Sequence, residues 1–382
     1  MTDTALKNPE RRVYEPEEVR DNILLSMVDG IGPLMMKRLS DCFKNATAVL
    51  KASSHDLQQV EGIGPRLADR IVHAPEQYPV DELIALCRAK KIQILIPDDI
   101  RYPERLLEIS DMPSVLYCRG TLEACDSLAI SIVGTRGISY YGRKQTDRLA
   151  TELVNAGFTI VSGMALGVDG QAHRAAINAN GRTLAVLGSG LLEIFPREHE
   201  SLYHDIIEHG AVLSEFHPHM APLKGNFPQR NRIVSGLSLG VLVVESPRKS
   251  GSLITARLAM EQNRDVFAVP GPVDQENSRG CHRLIKDGAV LVESVDDIIE
   301  VLGPLSRPVL TPQSPAPVRL PSEVLLNDRE KKVLQFIGTL PTSIDRIIEE
   351  SGLAAHQVLG VITALEFRKI LRRGEGNSVY RL

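Results

Sequence analysis

One glycine-rich turn carries an arginine whose position suits it to bind an anion. The turn GTRG, Gly134 to Gly137, directly follows the apolar run ISIV. An arginine at the mouth of a strand presents several N–H donors in a planar fork that matches phosphate oxygens. Arg136 is therefore the first candidate for a ligand contact, and a surface ion pair is the alternative.

A second turn, Ser162 to Gly170, has the sequence SGMALGVDG and opens a predicted helix. The start of a helix offers amide donors and the positive end of a dipole, and Ser162 adds a hydroxyl, so this turn also suits an anion. Asp169 and His173 lie four residues apart on that helix. They form either a catalytic pair or, as the simpler explanation, a carboxylate in the first helical turn and a histidine that packs against the fold.

A third segment, FPQRNRIVSGLS at Phe227 to Ser238, is dense in side chains that suit phosphates and base edges. Arg230, Asn231 and Arg232 precede an apolar helix, and Lys224 lies just upstream. Two arginines around an asparagine can also lock a loop by bonding backbone carbonyls. The sequence leaves both interpretations open.

Several other chemistries lack the residue spacing that they require. The turn after the third apolar run contains GxG without the full GxGxxG of dinucleotide sites, and neither a Walker loop nor a GxSxG elbow is present. His199, Glu200 and His204 form HExxxH, which is one residue longer than the zinc motif of a helix face. The sequence therefore predicts no catalytic residue, no cofactor and no metal.

Three apolar runs separated by helical patterns must position these turns. The runs ISIV, FTIV and TLAV lack polar alternation, as strands buried on both faces do. Their βαβαβ order predicts a parallel sheet with its site at the carboxyl ends of the strands. Further runs at AVLSEF, VLVVE, DVFAVPG and AVLV extend this prediction to an α/β, Rossmann-like, doubly wound and mostly parallel sheet over residues 91–303.

The chain before this sheet falls into two predicted parts. Residues 1–20 are polar and charged, which predicts a mobile leader. Residues 21–90 contain a near repeat, MVDGIGPLMMKRL and QVEGIGPRLADRI, and each copy predicts two helices around a glycine turn. This pattern is typical of a helical helix-hairpin-helix (SAM-like) domain. Its turn amides either hold a phosphate or belong to a unit that only packs on its neighbour.

The chain after the sheet begins with a proline-rich stretch, residues 304–325, which predicts a semi-stiff linker. Residues 326–382 predict three helices and a two-stranded hairpin, the pattern of a winged-helix domain. A basic cluster lies at the end of the third helix and the start of the wing: Arg368, Lys369, Arg372 and Arg373. Duplex DNA and a protein partner are the alternative ligands of this domain.

The overall composition limits the kind of nucleic-acid site that is possible. The 382 residues carry a formal net charge of −4, so such a site must come from a local concentration of Arg and Lys. No apolar run approaches the roughly 20 residues of a membrane-spanning helix, and the amino terminus lacks the apolar core of a secretion signal. We therefore expect a cytoplasmic protein, and its five scattered cysteines predict no disulfide framework.

Taken together, the motifs resemble those of the DNA-processing protein A (DprA/Smf) family. The resemblance covers roughly residues 98–292 and includes, in order, VGTR, SGMALGVDGQAH, TLAVLGSGLLEIFP, FPQRNRIVSGLS, SGSLITARLAMEQNRDVFAVPG and SRGCHRLIKDGA. The predicted end domains are similar to extensions of longer family members. The resemblance implies a non-enzymatic role, in which the protein binds incoming single-stranded DNA during natural transformation, protects it, and passes it to the recombinase RecA. It also implies a dimer joined through the Rossmann-like domain, as is usual in the family.

The same resemblance implies which residues contact DNA. Arg136 and Arg197 take the places of the basic contact residues, and Ser162, Gly163 and Gly167 line the same pocket, with Arg182 as an addition just before the third strand. In this chain Phe195 stands where the family commonly has Tyr, and Arg197 stands where it commonly has Lys. The second difference keeps the positive charge, whereas the first alters a stacking or hydrogen-bonding contact.

A nucleotide-processing enzyme that uses the same crevice is the competing hypothesis. Phosphoribohydrolase-type relatives of the Rossmann-like fold carry PGGxGT followed by a catalytic glutamate. The corresponding region here is SGSLITARLAMEQ, which lacks the glycine pair. Glu261 is therefore a poor candidate for a catalyst.

Overall fold

The structure, a computed structural model, describes residues 11–16, 18–303, 328–337, 342–367, 371–373 and 378–381. The front of the chain is helical. Its α-helices are short and follow one another closely: α1 Arg20–Met27, α2 Pro33–Cys42, α3 Ala46–Lys51, α4 Ser54–Leu57, α5 Pro65–Val72, α6 Ala74–Gln77 and α7 Val80–Ala89.

The near repeat forms two helical hairpins, which confirms the predicted helix-hairpin-helix unit. The turn glycines Gly30 and Gly62 have φ values of +101° and +92°, a region that residues with a side chain seldom enter. Pro33 and Pro65 occupy the first helical positions of α2 and α5, where a missing N–H is not needed. The two copies therefore share both their sequence pattern and the backbone geometry of their turns.

The two hairpins hold each other through reciprocal arginines. Arg38 of the first hairpin donates to the carbonyl oxygen of Glu61 in the second turn at 2.9 Å. Arg70 of the second hairpin donates to the carbonyl oxygen of Asp29 in the first turn at 3.0 Å. Each guanidinium is thus used inside the tandem, and the two copies form one unit.

The central unit is a nine-stranded sheet in the order β1-β2-β6-β5-β4-β3-β7-β8-β9. Neighbouring strands from β6 to β9 pair in parallel, whereas β1 and β2 are antiparallel, so the predicted mostly parallel sheet is confirmed. The strand bounds are β1 Gln93–Leu95, β2 Leu116–Gly120, β3 Ala129–Val133, β4 Thr159–Ser162, β5 Thr183–Val186, β6 Gly210–Ser214, β7 Gly240–Val243, β8 Asp265–Ala268 and β9 Val290–Leu291.

Helices cover both faces of this sheet, which explains why its strands show no polar alternation. Ile130 and Ile132 of β3 pack in one apolar cluster, and Ala129 and Val133 of the same strand pack in another. The helix bounds are α8 Tyr140–Asn155, α9 Val168–Asn178, α10 Glu200–His209, α11 Asn226–Gly236, α12 Gly251–Glu261, α13 Arg279–Lys286 and α14 Val295–Leu302. Leu149 of α8 belongs to the first cluster.

The strand order reverses between β3 and β7. The chain runs from β3 through β4 and β5 to β6 in one direction, and from β7 through β8 to β9 in the other. In an open α/β sheet, the loops at the carboxyl ends of the strands separate at such a point and leave a crevice. The turn that carries Arg136 lies beside it.

Residues 11–16 correct part of the prediction of a mobile leader. Arg12 forms a bridge with Asp99, and the backbone N–H of Tyr14 donates to the Asp99 carboxylate at 3.2 Å. Asp99 is fully buried and also pairs with Arg101 at 2.6 Å. A buried carboxylate needs such donors, so it anchors the leader segment that precedes α1.

The helical front unit packs directly on the edge of the sheet unit. One apolar cluster includes Ile23 and Leu39 of the front helices together with Tyr203 of α10 and Val212 of β6. The sequence allowed a phosphate-binding role or a packing role for the tandem. The structure shows that the packing contact exists.

The tail has the helices and the hairpin of a winged-helix domain. Its described elements are α15 Asp328–Leu334, β10 Thr342–Ser343, α16 Ile344–Ser351, α17 Ala355–Phe367, β11 Leu371–Arg373 and β12 Ser378–Arg381. The small strand β10 joins the hairpin in the order β10-β12-β11, and the sequence did not predict it. The proline-rich stretch 304–325 lies outside the described residues.

Within the described ranges, no helix has both the length and the apolar character needed to cross a bilayer.

Candidate nucleic-acid interface

Arg136 lies on the turn after β3, at the carboxyl edge of the sheet, and its side chain is exposed. No hydrogen bond or ion pair joins it to another described residue. Its guanidinium carbon lies 5.8 Å from the ring centroid of Phe227, in the first turn of α11. The ring holds the cation at the rim without neutralising it, because a cation–π contact leaves the positive charge available to a ligand.

Two phenylalanines form an aromatic platform next to Arg136. The ring centroids of Phe195 and Phe227 lie 5.6 Å apart with an interplanar angle of 51°. Phe195 is 41% exposed, so its ring is accessible to a ligand. The sequence analysis did not single out Phe227. A Cβ at Gly188 would lie 2.7 Å from the Phe227 ring, so glycine there lets the ring approach, but no pattern in the sequence pairs these two residues.

The turn after β4 is locked to the turn after β3. The backbone N–H of Val168 donates to the carbonyl oxygen of Thr135 at 3.2 Å. Gly167 has φ +84°, and a Cβ at this position would lie 2.2 Å from the same carbonyl oxygen. The close approach of the two turns therefore requires glycine at position 167.

Asp169 organises these turns, and it does not pair with His173. Its carboxylate accepts the N–H of Gly163 at 3.2 Å. Burial raises the pKa of this carboxyl, while Arg230 and backbone donors act in the opposite direction. His173 points elsewhere: its Nδ1 lies 2.6 Å from the Thr183 hydroxyl, and burial lowers its pKa to about 3. The structure thus favours the packing interpretation over a catalytic pair.

Arg230 is a buried clamp between strands and not a free cation. It is 4% exposed and donates to the carbonyl oxygen of Gly163 at 2.6 Å and to that of Val186. Burial lowers its pKa to about 10, and the nearby Arg136 acts in the same direction. Of the two interpretations that the sequence left open, Arg230 takes the structural one.

Arg232 is also structural, whereas Asn231 and Lys224 are more accessible to solvent. Arg232 is 6% exposed and pairs with Glu215 at 2.6 Å and with Asp111 at 3.2 Å. Asn231 is half-buried and donates to the carbonyl oxygen of Gly251 at 3.5 Å. Lys224 is exposed and has no partner among the described residues.

Arg197 lies on a 3-10 turn, Arg197–His199, and is exposed without an ion pair to any described residue. His199 anchors this turn, because its Nδ1 donates to the carbonyl oxygen of Met164 at 3.0 Å. Met164 belongs to the turn after β4, so Arg197 and the amides of that turn are held together. Phe195, two residues earlier, links Arg197 to the aromatic platform.

Two further predicted site residues, besides Arg230 and Arg232, do not join this group. Arg182 precedes β5 and so lies at the amino edge of the parallel sheet, opposite Arg136, where it pairs with Glu123 at 2.7 Å and with Asp126 at 2.8 Å. The hydroxyl of Ser162 is buried and donates to the carbonyl oxygen of Ile132 at 2.6 Å. Both side chains are used inside the fold.

The basic cluster of the tail is only partly described. Arg372 and Arg373 lie on β11, and Arg372 is exposed. Arg368 and Lys369 lie outside the described residues. The contacts of this cluster therefore stay a prediction.

The candidate catalyst of the competing hypothesis lies far from the rim. Glu261 is the last residue of α12, ten residues beyond the start of the helix at the carboxyl edge, a separation of about 15 Å at the usual helical rise. It is exposed and pairs with Arg257 at 3.4 Å. No group of three or more His, Cys, Asp or Glu suited to a metal ion occurs among the described residues.

Comparisons with known proteins point to one family. Residues 93–303 match the profile of "DNA recombination-mediator protein A", residues 312–377 match a DprA winged helix domain, and residues 23–74 match a SAM-like helix-hairpin-helix tandem. Protein Smf of Synechocystis sp. is 36% identical over 386 residues, which cover 93% of this chain and 97% of the relative.

Two solved structures resemble the fold. DNA processing protein A from Streptococcus pneumoniae superimposes with a TM-score of 0.65 at 33% identity, over 75% of this chain and 98% of that chain. The corresponding protein from Helicobacter pylori, described for its single-stranded DNA binding mode, gives 0.51 at 31% identity, over 57% of this chain and 98% of that one.

Proposed function

Because this chain belongs to the DNA recombination-mediator protein A family, we propose that it binds single-stranded DNA at the carboxyl edge of its parallel sheet, and that it protects the strand during natural transformation. The observation that carries this proposal is the exposed Arg136, which has no ion pair among the described residues and lies beside the Phe227–Phe195 platform. A cation next to exposed rings suits a polymer that alternates phosphates with bases.

The proposed contacts follow from which side chains are free. Arg136, Arg197 and Lys224 are exposed cations without ion pairs to described residues, and they contact phosphates. The turn amide of Gly167 and the side chain of Asn231 add hydrogen bonds, whereas the predicted amide of Gly163 is buried and already donates to Asp169. Buried Arg230 holds the turn in place and does not touch the ligand.

The platform also explains why single strands are favoured over duplex. Bases can stack on Phe195 and Phe227 only when they are unpaired, and stacking on an aromatic ring contributes about 1–3 kcal/mol per base. The free cations contact phosphates of any sequence. We therefore expect binding with little sequence preference and a strong dependence on salt.

Affinity measurements with three ligands test this function. Fluorescence anisotropy would compare an oligothymidylate, a duplex of the same length and free nucleoside monophosphates. The proposal predicts the tightest binding to the single strand. Preferential binding of a monophosphate, together with release of free base, would instead support a nucleotide-processing enzyme.

We also propose that the protein passes the strand to RecA recombinase and that it forms a homodimer through its Rossmann-like domain. Both proposals rest on the family resemblance. The expected outcome is that the protein shortens the lag of RecA filament formation on a protein-coated single strand, and that Arg136→Ala restores part of the lag. Light scattering of the full chain would test the homodimer.

A further inference from the structure

A second pair of exposed cations lies on the other side of the point where the strand order reverses. The loop between β7 and α12 carries Arg248 and Lys249, and both side chains are exposed. Neither has a hydrogen bond or an ion pair with another described residue. Free surface cations are common, so exposure alone does not make this pair a binding site. Its position relative to Arg136 is the relevant observation.

The loop is joined directly to the turn that carries Arg136. The N–H of Thr135 donates to the carbonyl oxygen of Glu245 at 2.8 Å, and the N–H of Ser139 donates to the Glu245 carboxylate at 2.9 Å. These bonds fix the two loops side by side across the crevice. The Arg248–Lys249 segment and Arg136 therefore belong to one continuous rim.

The two loops together carry three cations and one carboxylate, so their formal charge is positive. In loops 134–139 and 245–251 the charged residues are Arg136, Arg248, Lys249 and Glu245. Glu245 is 4% exposed and is used at the start of α8, where Ser139 also bonds it. Three exposed cations thus stand without an exposed carboxylate in these two loops, and their fields add in the crevice between the loops.

The rim is also open to a polymer backbone and offers one more ring. A Cβ built at Gly137 or at Gly251 would meet no atom within 4 Å, so a ligand can approach the main chain on both sides. Asn231 bonds the carbonyl oxygen of Gly251 and so connects α11 to this loop. Tyr140, the first residue of α8, is 85% exposed and can stack with a base.

We propose that Arg248 and Lys249 form a second phosphate-binding segment for the same single strand. The strand leaves the Arg136–Phe227 site, crosses the crevice between β3 and β7, and places its next phosphates on this segment, with Tyr140 against a base. This inference rests on the proposed function of the rim. It adds that the protein binds long strands more tightly than short ones through contacts at the strand-order reversal.

Strand length is the variable that tests this segment. The full-length chain and its Arg248→Ala/Lys249→Ala variant are titrated with oligothymidylates of about 5 nucleotides, near the smallest site size of single-strand binding proteins, and of about 20, beyond the largest. We expect about a tenfold loss of affinity for the long strand and a small loss for the short one. The salt slope for the long strand falls by about 1.4, since each phosphate contact to a single strand contributes about 0.7.

A matched double variant controls for net charge. Arg283→Ala/Lys286→Ala removes two exposed cations from the last turn of α13, the end of the helix away from the β7 loop. Arg283 pairs with Asp287 at 3.4 Å in an exposed contact, which contributes little to stability. Its affinities should equal those of the unaltered chain for both lengths. If Arg248→Ala/Lys249→Ala binds the long strand as tightly as this control does, the inference is wrong. The proposed site at Arg136 is not affected by that result. If the unaltered chain binds neither strand, the proposed function and the inference fail together.

Discussion

At the scale of single residues, the arginines of this chain divide into those that hold the fold and those that face solvent. Arg230 and Arg232 are almost fully buried and donate to carbonyl and carboxylate oxygens. Arg136 and Arg197 are exposed and unpaired within the described residues. The nucleic-acid site that we propose depends on this second group.

Phe227 should contribute to affinity but not to salt dependence. Replacing it by Ala removes the ring beneath Arg136 and one face of the platform, so single-strand binding should weaken by about 1–3 kcal/mol. The salt slope should stay the same because no phosphate contact is lost. Phe227→Tyr keeps the ring and serves as the control in the same titrations. A changed salt slope for Phe227→Ala would contradict the assigned stacking role.

Gly167→Ala should destabilise the protein. The new Cβ would lie 2.2 Å from the Thr135 carbonyl oxygen, in a backbone with φ +84°. We expect a loss of about 1–3 kcal/mol in the free energy of unfolding, measured by urea denaturation. Gly137→Ala is the matched control, because a Cβ there meets no atom within 4 Å. Equal stabilities of the two variants would show that the close approach of the turns is not required.

At the scale of secondary-structure elements, the turns at the carboxyl edge depend on helices that close over them. Helix α9 begins at Val168, directly after Gly167, and brings Asp169 under the turn after β4 and His173 against β5. The buried histidine links the stability of this helix to pH. Its pKa is lowered to about 3 from an ordinary value of 6.5 because burial disfavours the charged ring.

The sign of the pH effect follows from that shift. Between pH 6.5 and about 3 the unfolded chain binds a proton at His173 that the folded protein does not bind, so stability falls as the pH falls through this window. The slope from this group is at most about 1.4 kcal/mol per pH unit. His173→Asn keeps a donor for the Thr183 hydroxyl and cannot titrate, so its stability should fall less between pH 6.5 and 4.5. Identical acid profiles would contradict this account.

The sequence predicts the elements of the site better than the side chains that serve it. The runs ISIV, FTIV and TLAV end in glycine turns, and these turns do meet at one edge of a parallel sheet. Arg230 and Arg136 look alike in the sequence, yet one is buried and the other is exposed. Burial of Arg230 depends on how α11 packs across β4 and β5, and no local pattern encodes that packing.

At the scale of the whole molecule, net charge and site charge have opposite signs. The chain carries a formal net charge of −4, while the rim between β3 and β7 has cations without an exposed carboxylate in its two loops. Local concentration of charge can attract a polyanion to an acidic protein at moderate salt. The tail forms a separate apolar cluster of its own residues, including Val333, Ile347 and Val379.

Removal of residues 304–382 should leave most of the single-strand affinity. The rim residues all lie before Gly303, and no tail residue that the structure describes belongs to the apolar clusters that hold the sheet. Anisotropy titrations of the shortened chain and the full chain should therefore agree within about a factor of three. A loss greater than tenfold would assign a direct DNA contact to the tail.

The most direct test of the rim site is a titration of Arg136→Ala and Arg197→Ala with single-stranded DNA at several salt concentrations, with Arg283→Ala as the control. Each rim variant should lose about 1–3 kcal/mol of binding free energy and about 0.7 of the salt slope, because each loses one charge-assisted phosphate contact. The control should match the unaltered chain. Unchanged affinity and salt slope in both rim variants would contradict the assignment of this edge as the nucleic-acid interface.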